Sequence, residues 1–287
     1  MKLRAYAKIN IGLHILGKRS DGYHDLETIF HEINCFDELE LEQHSKITMT
    51  ADSILVPVDG SNLCLKAANL LQKEKHVKRG VIIHLKKNIP IGAGLGGGSS
   101  DAAAVLRGLN LFWELKLSDA QLRALAEQIG SDVPFFIEGG TASATGRGEI
   151  LEPFSLPMPY WIAVVTPLIH ISTAWAYQHL EPGRNGTAEG YQAKLVKHIS
   201  NPKRLASLIH NDFEQPVFQT YPELNRIKEQ LNSQGAVFSL MSGSGSTMVG
   251  FFDQEKKALG ALESFPKTYQ TSITAPSFKS HHEPEAR

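Results

Sequence analysis

The sequence predicts a two-domain α+β protein, and three observations carry that expectation. Strand-like and helix-like segments interleave along both halves of the chain. The 287 residues suit two units of roughly 130–150 residues each, or one large one. Finally, Pro153, Pro157 and Pro159 crowd into a short extended stretch. That stretch divides the chain into expected domains 1–153 and 154–287.

Composition narrows the class. Apolar residues make up 42%, enough for real cores, and the net charge is −1 with both signs intermixed. No basic or acidic footprint points to a nucleic acid or a membrane surface. Cys35 and Cys64 are too far apart for a metal knuckle and suit a reducing compartment. No apolar run approaches the roughly 20 residues of a membrane span. The first residues alternate like a strand and do not resemble a signal peptide. A soluble, cytoplasmic protein is expected, with nothing in the pattern to specify an oligomer.

In chain order, residues 3–15 read as a strand of Ala, Ile and Leu interrupted by Lys8 and Asn10. From this segment alone Lys8 reads as an edge-strand lysine reaching solvent, since a buried ammonium needs a partner. A polar loop follows through Gly22, Tyr23 and His24; Tyr23 either faces a ligand or packs at the loop base. Residues 38–42 and 47–50 alternate strictly and predict half-buried antiparallel strands. Asn62 caps a helix whose Cys64, Ala67, Ala68 and Leu71 share one face. Residues 81–85 are a buried strand and residues 100–113 a helix.

The run between them is Pro90-Ile91-Gly92-Ala93-Gly94-Leu95-Gly96-Gly97-Gly98-Ser99-Ser100, with five glycines in seven positions. Strand, glycine loop and helix together present backbone N–H groups and a positive dipole end to an anion. A phosphate-bearing ligand is the expectation. Gly92, Gly94 and Gly97 satisfy a dinucleotide fingerprint, but the loop lies far from the first strand and no acidic residue follows about 20 positions later. Gly98 and Ser99 replace the Lys-Ser/Thr of a Walker A loop. Protein-kinase His-Arg-Asp and Asp-Phe-Gly motifs are missing too.

Further on, Ser118 and Gln121 form a capping box, Gly130 closes that helix, and Ser131 caps a short helix with Pro134 in its first turn. Asp132 reads there as an ordinary helix-start residue. Residues 141–145 are strand-like. The second half offers strands 161–165, 236–241, 248–252 and 268–275, with helices 173–180, 191–199, 203–209 and 254–264. A mobile-looking loop is expected at 182–186. Thr220 and Glu223 frame a second capping box, for a helix burying Leu224, Ile227 and Leu231 and ending before Gly235. The last ten or so residues, with His281 and His282, read as a loose tail.

A phosphate cradle without its own lysine needs cationic help and an acceptor-orienting group from elsewhere. Lys8 and Asp132 are the candidates. Three ordered motifs then carry a resemblance: Ala7-Lys8-Ile9-Asn10-Ile11, the 90–100 loop, and Ser242-Gly243-Ser244-Gly245-Ser246-Thr247. Together they resemble the GHMP small-molecule kinases, whose founding members phosphorylate galactose, homoserine, mevalonate and phosphomevalonate. Arg19 to His24, Gly130 to Phe136, and Asn211-Asp212-Phe213-Glu214 add to the match.

The resemblance implies a two-domain GHMP kinase fold with its active site in the cleft between domains. ATP is the implied co-substrate, its phosphates on Pro90 to Ser100, and Mg²⁺ is implied with it. Asp132 is implied as base or orienting group, helped by Lys8. Asn10 would hold the acceptor, Tyr23 would stack on a cytosine and His24 would bond its edge. The implied acceptor is therefore a cytidine-diphosphate-linked methylerythritol, an isoprenoid precursor. Gly243 and Gly245 would border the site, and His170 or Tyr177 would cover the second face of the base. Metal ligands stay open, with Ser99 and Ser100 as nearby hydroxyls. Two other readings remain: a kinase for another alcohol such as homoserine or mevalonate, and a non-catalytic sensor on the same fold.

Overall fold

The computed structural model describes residues 1–180 and 190–284, so the loop expected at 182–186 lies outside the described residues. Its first half is built on a six-stranded sheet of β1 (Lys2–Lys18), β2 (His24–His44), β3 (Ile47–Ala51), β4 (Gly80–Lys86), β5 (Thr141–Thr145) and β6 (Ile150–Pro153). The order is β3-β4-β2-β5-β6, with β1 along the other side of β2. Helices α1 (Leu63–Glu74), α2 (Gly97–Phe112), α3 (Asp119–Ala126) and α4 (Phe135–Glu138) accompany this sheet. The second half holds an antiparallel sheet ordered β10-β7-β9-β8, from β7 (Trp161–Thr166), β8 (Phe238–Met241), β9 (Met248–Phe252) and β10 (Gln270–Thr274). Its helices are α5 (Thr173–Gln178), α6 (Tyr191–His198), α7 (Pro202–Leu208), α8 (Glu214–Thr220), α9 (Pro222–Ser233) and α10 (Glu255–Glu263).

The pairing of β1 with β2 decides where the chemistry sits. Leu3 and Ala5 pack into the core shared with α1 and α2, whereas Ala7, Ile9 and Ile11 pack into the core shared with Ile162, Val164 and Leu240. A strict period of two would keep these odd-numbered residues on one face. The register shift between Tyr6 and Lys8 changes the face instead. Lys8 and Asn10 are thereby turned away from the core between the two sheets and toward the glycine loop. That core joins the halves, and the Asn34 N–H donates to Thr274 Oγ1 at 2.9 Å across them.

Several expectations are corrected. Strand β3 pairs parallel with β4, not antiparallel. Strand β2 begins near residue 24, well before 38, because it is central and covered on both faces, which erases alternation. Pro153 ends strand β6 rather than opening the linker, a position an edge strand tolerates. Helix α2 starts at Gly97, inside the glycine run, not at residue 100. Helix α3 ends at Ala126, so Gly130 is not its cap, and Ser131 to Pro134 form a turn in which Ser131 caps nothing.

Helix α8 is hidden in the sequence pattern because Pro216 interrupts it; proline is tolerated in a first turn. Thr220 belongs to α8, and α9 has no side-chain cap, so the second capping box is absent. The caps at Asn62 and Ser118 are as expected, and Gly235 follows α9 at φ +94°. The tail is not loose through residue 282: Ser280 donates to buried Glu32 at 2.5 Å, and His282 lies between Glu32 and Arg107. No described helix is long and apolar enough to cross a membrane.

Candidate active site

Residues from both halves of the chain enclose a cleft of about 2010 Å³, lined among others by Lys8, Asn10, Gly94, Gly96 and Asp132. Strand β4 delivers the chain to the glycine loop, and α2 carries it away. Gly92, Gly94 and Gly96 have φ of +65°, +82° and +69°, where a side chain is strained. Space forbids one as well: a Cβ on Gly96 would sit 2.9 Å from Phe136, and one on Gly94 would collide with the Ser242 carbonyl. Ala93 and Leu95 point inward and pin the loop, with Lys8 N–H donating to Leu95 O at 3.0 Å and Thr247 N–H to Ala93 O at 3.3 Å.

Pro90 is half-buried, and Ile91 and Gly92 are exposed. Because α2 starts at Gly97, the amides of Gly97, Gly98 and Ser99 form its first turn and have no partners within the helix. The Ser100 hydroxyl is buried and donates to Tyr6 O at 2.6 Å, which turns it from the cleft.

Lys8 is 5% exposed, so the solvent-reaching reading is overturned. Its Nζ donates to Asn10 Oδ1 at 2.6 Å, stands 3.8 Å from Asp132 Oδ2 and lies 4.4 Å over the Phe30 ring. Burial pulls the Lys8 ammonium below the ordinary lysine range, and the Asp132 charge opposes that pull. Asn10 is fixed twice: Nδ2 donates to Thr28 Oγ1 at 2.9 Å, and its N–H donates to Ser242 Oγ at 3.2 Å. Ser242 Oγ in turn donates to Gly94 O at 3.1 Å, so both glycine loops meet at Asn10. Asp132 is 36% exposed on the cleft wall. Lysine, amide and carboxylate thus converge from β1 and the turn before α4, although Lys8 and Asp132 stand 124 positions apart in sequence.

Tyr23 and His24 lie on the same cleft but do different things. Tyr23 is 57% exposed with the Arg147 guanidinium 4.8 Å from its ring centroid. His24 stacks on Tyr177 at 5.0 Å and 19°. Partial burial, then Lys18, lowers the His24 pKa. Burial, then the Asp132 charge, pushes the Tyr177 phenol up to about 12, so it stays a neutral donor at ordinary pH. His170 lies over Gly92, beside the glycine loop and not at the aromatic pair. Of the two residues considered for the second aromatic face, Tyr177 is the one at the His24 end.

Sequence reasoning missed what holds the loop from below. Lys87 Nζ donates to Asp101 Oδ2 at 2.8 Å and also to Asp37, all three side chains being nearly inaccessible. Asp37 Oδ1 accepts the N–H groups of Asn88 and Ile89 at 2.6 and 2.8 Å. Burial works against the Lys87 charge, yet Asp101 and Asp37 outweigh it and hold the ammonium above the usual lysine range. Lys87 beside the loop was a visible signal, but Asp37 is distant in sequence and its partnership was not.

With this geometry in place, similarity to known proteins decides the family. Residues 62–140 match the family described as GHMP kinases N terminal domain, and residues 193–271 match GHMP kinases C terminal. A protein of Pelodictyon phaeoclathratiforme named 4-diphosphocytidyl-2-C-methyl-D-erythritol kinase is 43% identical, covering 96% of this chain and 97% of its own. The chain belongs to the GHMP kinase family. A Chlorobium limicola kinase of the same name is 44% identical over 97% of this chain and 98% of its own.

Among solved GHMP kinases, a 4-(cytidine 5'-diphospho)-2C-methyl-D-erythritol kinase superposes with TM-score 0.82 at 34% identity, over 96% of this chain and 98% of its own. A homoserine kinase from Cytophaga hutchinsonii gives TM-score 0.75 at 15% identity, over 96% and 95%, and so shares the fold alone. The two-domain α+β GHMP kinase fold expected from sequence is the fold observed. The protein is an ATP-dependent small-molecule kinase.

Proposed function

We propose that this kinase transfers the γ-phosphoryl group of ATP to a hydroxyl of 4-diphosphocytidyl-2-C-methyl-D-erythritol, in isoprenoid precursor synthesis that does not pass through mevalonate. The observation that carries the choice of acceptor is the aromatic lip, Tyr23 with the His24–Tyr177 stack, on the same cleft as Lys8 and Asp132. A nucleobase needs a flat apolar face and polar groups at its edge, and this lip offers both. The near-full-length relatives named for that substrate support it.

In this reading the ATP phosphates lie on residues 90–100, against the amides that open α2. Asp132 accepts the proton of the acceptor hydroxyl or fixes its direction. Lys8 stands 3.8 Å from Asp132 and adds positive charge where phosphoryl oxygens gather. Asn10, held by Thr28 and Ser242, positions the acceptor. Asp132 is taken by Lys8 and the acceptor hydroxyl in this reading, so Mg²⁺ would be held by ATP phosphate oxygens and waters with a hydroxyl from the opening of α2, an all-oxygen set that suits the ion. The Ser100 hydroxyl is committed to Tyr6, which leaves Ser99 as the nearby hydroxyl. When bound with ATP, Mg²⁺ supplies neutralisation of the phosphate charge. We assign residues 1–153 and 154–287 as the two domains.

Purified protein supplied with ATP and the cytidylyl substrate is expected to form its phosphate monoester, with homoserine and mevalonate left unmodified. Turnover of either of those instead would replace this reading, and no turnover of any alcohol would favour a sensor. Tyr23→Ala is expected to raise the apparent KM for the cytidylyl substrate roughly tenfold, the range of one lost base–aromatic stack, and to leave that for ATP unchanged. Equal effects on the two KM values would remove Tyr23 from the base site.

A further inference from the structure

A cluster outside the phosphoryl-transfer machinery has the makings of a metal site. His14 on β1 and His210 and Asp212 in the segment before α8 bring three donor atoms within 4.8 Å of one another. His14 Nδ1 and His210 Nε2 are 2.9 Å apart, and His210 Nε2 is 3.5 Å from Asp212 Oδ1. A tetrahedral zinc ion bound at about 2.0–2.1 Å wants its donors roughly 3.3 Å apart, and these two separations bracket that value.

The cluster is held by backbone from both halves of the chain. Leu13 N–H donates to His210 O at 2.9 Å and Asp212 N–H donates to Leu13 O at 3.0 Å, so residues 13 and 211 form a short parallel bridge. Ile15 N–H donates to Asp212 Oδ2 at 2.7 Å, which fixes the carboxylate and leaves Oδ1 on the His210 side. The buried His14 ring packs edge-on to Tyr191 at 4.5 Å. His210 is nearly half-exposed and lines the cleft with Asp212, which gives an ion both a path in and an open fourth position.

We propose that His14, His210 and Asp212 bind a divalent transition-metal ion of the zinc class, tying β1 to the segment before α8. Two imidazoles and one carboxylate suit Zn²⁺ or Co²⁺ and disfavour Mg²⁺, which takes oxygen donors. Asn211 lies inside the cluster and donates to Met241 O and Gly243 O at 2.8 and 2.7 Å, so the ion would brace the second glycine loop.

The test uses the full chain, freed of metal with a chelator and titrated calorimetrically with Zn²⁺. One ion per chain is expected, with a higher melting temperature, and Co²⁺ should give the visible absorption of a tetrahedral site. His210→Ala, at an exposed position that spares the fold, should weaken Zn²⁺ binding about a hundredfold or more, beyond the loss seen for outer-shell partners. Asp212→Asn keeps an oxygen for Ile15 N–H and should weaken it as well. Mg²⁺ at equal concentration should give no heat at this site. Zn²⁺ binding unaffected by both variants would place the ion elsewhere, at the tail histidines for example, and overturn the proposal. So would the absence of Zn²⁺ binding.

Discussion

Asp132→Asn is expected to leave a folded protein that binds ATP and turns over about 10²–10⁴ times more slowly, the usual worth of a positioned acid–base group. The geometry explains why stability is spared: Asp132 sits in a turn, 36% exposed, with Lys8 Nζ 3.8 Å away. Asparagine fills the same space but neither takes the proton nor answers the lysine. Lys8 then loses the charge that offsets its burial, and its pKa falls further. Steady-state kinetics with both substrates, beside a melting curve, checks this. Near-normal turnover would remove Asp132 from the mechanism, and a large drop in melting temperature would make it a structural residue.

The glycine loop was legible because a folded chain crowds glycines only where its backbone bends sharply or approaches something closely. Its flanking strand and helix follow the two periodicities that sequence displays. Its neighbours were less so. Lys8 in an apolar strand looked like an edge residue, since the register shift after Tyr6 that turns it toward the loop leaves no mark in composition. Asp132 looked like a helix start because Ser-Asp-x-Pro usually is one; here the four residues make a turn that aims the carboxylate into the cleft. Family resemblance, not spacing, joined the two. Strand β2 was half invisible for another reason: His31 and Glu32 interrupt its apolar pattern because they are buried with partners of their own, the Thr141 hydroxyl and the Gly140 N–H.

Lys87→Met is expected to cost about 3–5 kcal/mol, because it strands two buried carboxylates whose shared cation is gone. At this chain length that corresponds to a melting temperature lower by roughly 10 °C. The pair is not symmetric. Asp37 also takes the N–H groups of Asn88 and Ile89, so it anchors the two residues that lead into the glycine loop whatever its charge. Asp101, on α2, serves mainly to balance Lys87; burial already pushes its carboxyl well above the usual range. Adding Asp101→Leu to Lys87→Met should therefore recover part of the lost stability. Adding Asp37→Ala should instead deepen the loss, since two backbone donors lose their acceptor. Thermal unfolding of the three variants separates these outcomes, and equal behaviour of the Asp37 and Asp101 additions would refute the anchor role. The cluster's place in the fold is then to fix where the loop begins, beneath the cleft that Lys8 and Asp132 line.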